Sequence, residues 1–357
     1  MHGRARIKRT PEQEQARREE DAIKIKSYRN LVDQALQRYR SEEYGDDSLA
    51  LTTKILGQNP DFYTIWNFRR MILCAILEQA IQEEKQKTFE RELTFLAQII
   101  RLNPKSYWIF NHRRWCLQNM PTPDWDRELI LVGKMLDLDA RNFHGWDYRR
   151  YIIRNMESTS TSQPELLRSE FDYTTQKLGQ NFSNYSAWHN RSRLLPRIVE
   201  GKSEKERREV ADKEFQMVEN AFWTDPADQS AWFYHLWLIW SNKESVIAPD
   251  TMDQKDIEKF NVRTSTLSPW YSMDHLTLID REIGMIRRLL EELDTDNDTD
   301  SRWPLKVLVN LLAQQKMLDH QVNSARAEEA RKILTKLMKL DQYRRQLYED
   351  MTKEWQE

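Results

Sequence analysis

The chain has 357 residues, 31% of them charged and balanced to a formal net charge of −2, with only 8 glycines and 11 prolines. That balance excludes a nucleic-acid binder driven by phosphate neutralisation, and so few turn residues favour long helices over a strand-rich fold. The cysteines form no CxxC pair, no HExxH or zinc-spaced His/Cys cluster occurs, and no apolar run reaches the length of a membrane span. The reading is a soluble, cytoplasmic chain with no metal site of its own and no nucleic-acid partner, in which the sequons at Asn181, Asn184 and Asn190 carry no meaning.

In chain order, Thr10-Pro11-Glu12-Gln13 predicts a helix start: a threonine N-cap, a proline at the first position and a capping-box glutamine. The helix runs to about Arg40 with Ile25, Tyr28, Val32, Ala35 and Tyr39 in line, the first half a solvated arm and the second half packed. Residues 1–42 form this arm and helix.

Residues 43–240 carry one pattern five times: NPDFYTIWNFRRMIL, NPKSYWIFNHRRWCL, DARNFHGWDYRRYII, NFSNYSAWHNRSRLL and DPADQSAWFYHLWLI. The anchors Trp66, Phe110, Trp146, Trp188 and Trp232 lie 44, 36, 42 and 44 residues apart. A recurrence at this period predicts an array of helical hairpins. First helices show stripes such as Phe89, Leu93, Leu96 and Ile100. Second helices begin after a turn with the cap-type residues Asp61, Ser106, Asn142, Asn184 and Asp228. Three positions past each anchor stand Arg69, Arg113, Arg149, Arg191 and His235, read as glue reaching a carbonyl or carboxylate of the next hairpin. Cys74 and Cys116 are both expected as small core residues.

Residues 241–278 break the pattern and read as an irregular insertion. DTDNDTD from Asp294 resembles the opening of a calcium loop but lacks its glycine and closing glutamate, so a solvated acidic turn is expected. Residues 279–357, with helices at Asp280–Leu293, Trp303–Leu318, Asn323–Leu340 and Asp341–Trp355, close the array.

The anomaly is the turn position, which reads Asp61, Lys105, Arg141, Ser183 and Ala227 across the copies. Two adjacent repeats place a cation at a helix start, where free N–H groups and the dipole already favour anions. One reading is a pair of exposed loop cations; the other is a phosphate or diphosphate site, with Tyr107 and His144 able to donate to its oxygens.

The five-fold pattern resembles the α-subunit repeat of the protein prenyltransferases. MHGR, NPKSY, NFSNYS, DPADQSAWFYH and the segment at Trp303 are similar to the type II, or Rab, geranylgeranyltransferase α subunits in a short form. The resemblance implies an all-α fold, a right-handed superhelical crescent of antiparallel hairpins wrapped around a β subunit that carries the zinc and the isoprenoid tunnel. It implies a non-autonomous subunit of an enzyme that transfers geranylgeranyl from geranylgeranyl diphosphate to C-terminal cysteines of Rab GTPases presented by an escort protein, in vesicular transport. The family's diphosphate lysine falls on Lys105, with Tyr107 beside it; Asn142 and His144 match polar positions of the next repeat, where Phe143 stands in place of the usual tyrosine. Arg141, Asn142 and His144 are thus expected along the diphosphate edge. His2 suggests a resting contact to the partner's zinc, the alternative being a disordered tail. Two other functions stay open. The α subunit shared by farnesyltransferase and type I geranylgeranyltransferase is disfavoured by the missing proline-rich leader. A non-catalytic TPR-like scaffold is disfavoured by the period.

Overall fold

The computed structural model describes residues 10–159, 162–241, 274–295, 301–319 and 324–355. His2, residues 242–273 of the expected insertion and most of the DTDNDTD stretch lie outside the described residues. Two compact units, Met1–Met156 and Glu157–Glu357, divide the chain. Among the described residues every regular element is helical.

The first unit starts with α1 (Pro11–Arg40), whose Thr10 Oγ1 accepts from the Gln13 N–H while the Gln13 side chain accepts from the Thr10 N–H. Of its apolar line, Ala35 is buried, but Ile25 is half exposed. Three hairpins follow: α2 (Asp46–Gln58) with α3 (Tyr63–Leu77), α4 (Gln82–Leu102) with α5 (Tyr107–Asn119), and α6 (Trp125–Leu138) with α7 (Phe143–Thr159). First helices bury Ile55 and Leu56, then Phe89, Leu93, Leu96 and Ile100, then Val132 and Leu136. Gly145 lets α7 approach α6, since a Cβ there would sit 3.0 Å from Leu136.

The second unit holds α8 (Gln163–Gln180) with α9 (Tyr185–Ile198), and α10 (Glu204–Thr224) with α11 (Gln229–Trp240). After them come α12 (His275–Thr295), α13 (Arg302–Asp319), α14 (Ser324–Leu340) and, past a 3-10 turn at Gln342–Arg344, α15 (Arg345–Lys353). Helix α12 begins at His275, ahead of the Asp280 expected from sequence.

Each tryptophan anchor is buried and donates its indole N–H to the carbonyl six residues earlier. Trp66 reaches Pro60 at 2.7 Å, Trp146 Ala140 at 2.9 Å, Trp188 Phe182 at 2.7 Å and Trp232 Pro226 at 2.9 Å. The ring thereby fills the hairpin and also ties down its turn. Phe110 fills the same space in the second hairpin without a donor.

Buried ion pairs join successive hairpins. Arg69 grips Glu92 of α4 with two bonds of 2.6 and 2.8 Å, and reaches back to the Leu49 carbonyl and to Thr52 and Thr53. Arg191 repeats this in the second unit, on Glu214 and on Phe171, Thr174 and Thr175. Arg113 holds Glu128 at 2.5 and 2.7 Å, and His235 Nε2 lies 2.7 Å from Glu282. The second helix of the acid's own hairpin adds a third partner: His112 on Glu92, Tyr148 on Glu128, Tyr234 on Glu214. Every such charge is therefore both paired and hydrogen-bonded, the condition for burying it at all.

Two local expectations change. Cys116 is buried but Cys74 is exposed: it sits two positions beyond the buried face of Ile72, which turns it to the outside of the helix. In the first repeat the N-cap is Phe62, not Asp61; Asp61 occupies the turn, where its carboxylate accepts from Ser106 Oγ at 2.6 Å.

Candidate functional site

The turn 103–107 joins α4 to α5. Asn103 ends α4, and Ser106 occupies the N-cap of α5 without capping it, its hydroxyl donating to Asp61 of the preceding turn. The next three repeats behave differently, although α3, capped by Phe62, shares the lack of a side-chain acceptor: Asn142 accepts from the His144 and Gly145 N–H groups, Asn184 from that of Ala187, and Asp228 from that of Ser230. Helix α5 thus starts without a side-chain acceptor, and a helix start in that condition offers N–H groups to an external anion.

Lys105 stands beside this start with its side chain 70% exposed, its Nζ 3.3 Å from Asp139 Oδ2 of the next turn. The other oxygen of Asp139 accepts the Arg141 backbone N–H at 3.3 Å, and the Arg141 side chain is exposed. One carboxylate therefore pairs with the Lys105 ammonium and also holds the backbone of Arg141. Between two exposed groups such a pair is weak and can be displaced.

An aromatic layer backs the cations. Tyr107 is 59% exposed and meets the His144 ring edge-on at 4.2 Å; Phe143 is similarly exposed, 6.0 Å from Tyr107. His144 is buried and stacks on Phe110 at 5.8 Å with 7° between planes. Burial lowers the His144 pKa; Asp147 opposes that shift and Lys105 reinforces it, so the imidazole is held toward its neutral form. Tyr63 and Trp108, 5.4 Å apart, continue the aromatic edge toward the first hairpin.

The structure brings Lys105, Tyr107, Arg141, Asn142 and His144 together along adjacent turns of one unit. Asn142 differs from the rest in being 3% exposed with both ends of its amide engaged: Oδ1 on the start of α7, Nδ2 on the Pro104 carbonyl at 3.0 Å. Sequence reasoning missed Asp139 as the counter-ion. It also missed which glutamates neutralise the buried arginines. A signal for the latter exists: the acid lies twenty residues before the His or Tyr that shares it. Among the described residues no group of three His, Cys, Asp or Glu side chains is placed to hold a metal ion, and no helix is long and apolar enough to cross a membrane.

The chain matches the protein prenyltransferase alpha subunit repeat at residues 46–76, 89–120, 125–156, 167–198 and 211–241. It is 43% identical over 243 residues to the human geranylgeranyl transferase type-2 subunit alpha, a match covering 67% of this chain and 42% of that protein. The chain thus spans less than half the length of its mammalian relatives. The Saccharomyces cerevisiae protein of the same name is 37% identical over 72% of this chain and 77% of its own length. The fold is similar to that of a chain in the Candida albicans protein geranylgeranyltransferase-I complexed with GGPP, with a TM-score of 0.60, 19% identity, and coverage of 92% and 91%. The Candida albicans geranylgeranyl transferase type-2 subunit alpha aligns at 30% identity with 98% of this chain and 97% of its own length. By that near end-to-end match and the five repeats, the chain belongs to the family of geranylgeranyl transferase type-2 alpha subunits.

Proposed function

We propose that this chain is the α subunit of a heterodimeric type II protein geranylgeranyltransferase. It assembles with a prenyltransferase β subunit and acts on Rab GTPases presented by an escort protein. Geranylgeranyl diphosphate is the donor, and the products are thioethers at C-terminal cysteines. Zinc, which would hold the acceptor sulfur as a thiolate, is assigned to the β subunit; the described residues of this chain do not fit such a site.

One observation carries the reading: an exposed lysine at an uncapped helix start, paired only with an exposed carboxylate. As the bond between the isoprenoid carbon and the diphosphate oxygen breaks, negative charge accumulates on the leaving diphosphate. Lys105 would exchange Asp139 for that charge, and the free N–H groups of α5 would add to it. Tyr107 lies at the same edge with its ring exposed, and neutral His144 can donate a hydrogen bond without adding charge. Arg141, tethered to Asp139 only through its backbone, is the second cation within reach of the edge.

Lys105→Ala in the assembled heterodimer is the test. Single-turnover transfer is expected to fall on the order of a hundredfold, with the unfolding midpoint almost unmoved. An unchanged transfer rate would remove the diphosphate role. Escort-bound Rab and CaaX peptides assayed side by side decide the acceptor: transfer to the peptides alone would favour the shared α subunit of farnesyltransferase and the type I enzyme.

A further inference from the structure

Phe110 is the one anchor of the five that is not tryptophan, and its consequence lies six residues away. In the other four hairpins the carbonyl just before the turn residue is claimed by the indole of the same hairpin. Phenylalanine cannot make that bond, and in the second hairpin the matching carbonyl, that of Pro104, accepts instead from Asn142 of the next one. Asn184, the same cap one repeat later, leaves its Nδ2 buried without a hydrogen-bond partner, so the bond to Pro104 is not a general property of the cap.

The carbonyl concerned belongs to the peptide that leads into Lys105. A peptide unit is planar, so holding its oxygen fixes where the Lys105 nitrogen and Cα lie. The far end of the same side chain meets Asp139, three residues before Asn142. Lysine 105 is thus held at its backbone by a buried amide and at its ammonium by an exposed carboxylate, both from one turn. An incoming anion can displace the second contact. It cannot reach the first, since the amide is buried and bonded at both its oxygen and its nitrogen.

We propose that Asn142 is the positioning residue for Lys105, acting through the Pro104 carbonyl and not by touching the diphosphate. This rests on the diphosphate reading above. Phe110 belongs to the same device, because it leaves that carbonyl to the next repeat.

The test is Asn142→Ser, which keeps a neutral oxygen of a good N-cap residue but is too short to reach Pro104. The variant is made in the heterodimer in both the Lys105 and the Lys105→Ala backgrounds, with single-turnover transfer and geranylgeranyl diphosphate affinity measured for each. With Lys105 present, transfer is expected to fall about tenfold while affinity changes less than about threefold; without it, transfer changes less than about twofold. Equal losses in both backgrounds overturn the proposal, because a direct substrate contact or a plain folding role acts whether or not the lysine is there. No loss in either background overturns it as well. If Asn142→Ser does not assemble, Asn142→Asp also keeps the cap and removes the donor, and the same pattern is required of it. Amide exchange over residues 103–110 separates this inference from the reading beneath it. Should Lys105→Ala leave transfer unchanged, the diphosphate role is lost, yet exchange about tenfold faster in Asn142→Ser would still establish the tether; exchange at the parent rate overturns the tether too.

Discussion

Arg113–Glu128 and Lys105–Asp139 are ion pairs eight residues apart at their cationic ends, and they do opposite work. The first pair is 4% and 2% exposed; the second is 70% and 38% exposed. Inside, arginine meets its acid with two bonds, the acid also accepts from Tyr148, and a further arginine N–H meets the Leu93 carbonyl. Nothing there can leave without stranding a charge in a dry interior. Outside, one contact of 3.3 Å joins two solvated groups, and water or another anion replaces either partner at little cost. The difference teaches that a cation's role in this array follows from its surroundings more than from its type: the buried ones are fasteners, and the exposed one is available.

The largest effect that would break this contrast is expected at Arg113. Arg113→Ala leaves Glu128 and Tyr148 facing an empty site, and a loss of about 3–5 kcal/mol in unfolding free energy is expected. Combining Arg113→Met, Glu128→Leu and Tyr148→Phe should recover most of it, because no charge is then left alone; a triple variant as unstable as Arg113→Ala would show that the pair contributes more than its own neutralisation.

A smaller effect is expected from acid. Burial, with help from Arg69 and Arg70 and against the pull of Glu92, lowers the His112 pKa to about 4. The folded chain therefore keeps a neutral imidazole while the unfolded chain takes up a proton near its ordinary value of 6.5. Stability is whole above that value and is lost as the pH falls toward 4, by on the order of 1 kcal/mol per pH unit. Glu92, held down to about 2 by His112 and Arg69 although burial opposes them, continues the loss below 4.5. His112→Gln should flatten the dependence between pH 6.5 and 4, as followed by denaturant unfolding at stepped pH; a slope unchanged by the substitution would count against the histidine as its source.

The smallest effect belongs to the exposed pair. Asp139→Asn is expected to move the unfolding free energy by less than about 1 kcal/mol and to remove whatever salt dependence the pair contributes. A loss as large as that of Arg113→Ala would place Lys105 among the fasteners and end the comparison.

Much of this was legible in the sequence, because aromatic anchors at a near-constant period leave little choice of fold. The arginines past each anchor were read as reaching the next hairpin, and Arg69, Arg113 and Arg191 each meet an acid there. Their particular acids were hidden among many surface glutamates; only the regular distance to His112, Tyr148 and Tyr234 singles them out. Lys105 stood out as a cation at a turn. Asp139 did not, since Asn or Asp opens all five turns and every one is a good turn former. The bond from Asn142 to Pro104 was beyond reach for another reason: a cap residue's acceptor can be inferred from its position, but the other end of its amide answers only to what the neighbouring hairpin leaves free.

The order of the buried pairs along the chain has a consequence for its synthesis. In each, the cation comes first and its acid later, by 23, 15 and 23 residues for Arg69, Arg113 and Arg191. A polypeptide leaving the ribosome amino end first would keep one hydrated guanidinium at its growing tip, and that hairpin could not dry out until the next had emerged to dock on it. His235 must wait longer than these three, 47 residues, for Glu282. At that longest interval the position holds not a permanent cation but a side chain that also exists uncharged.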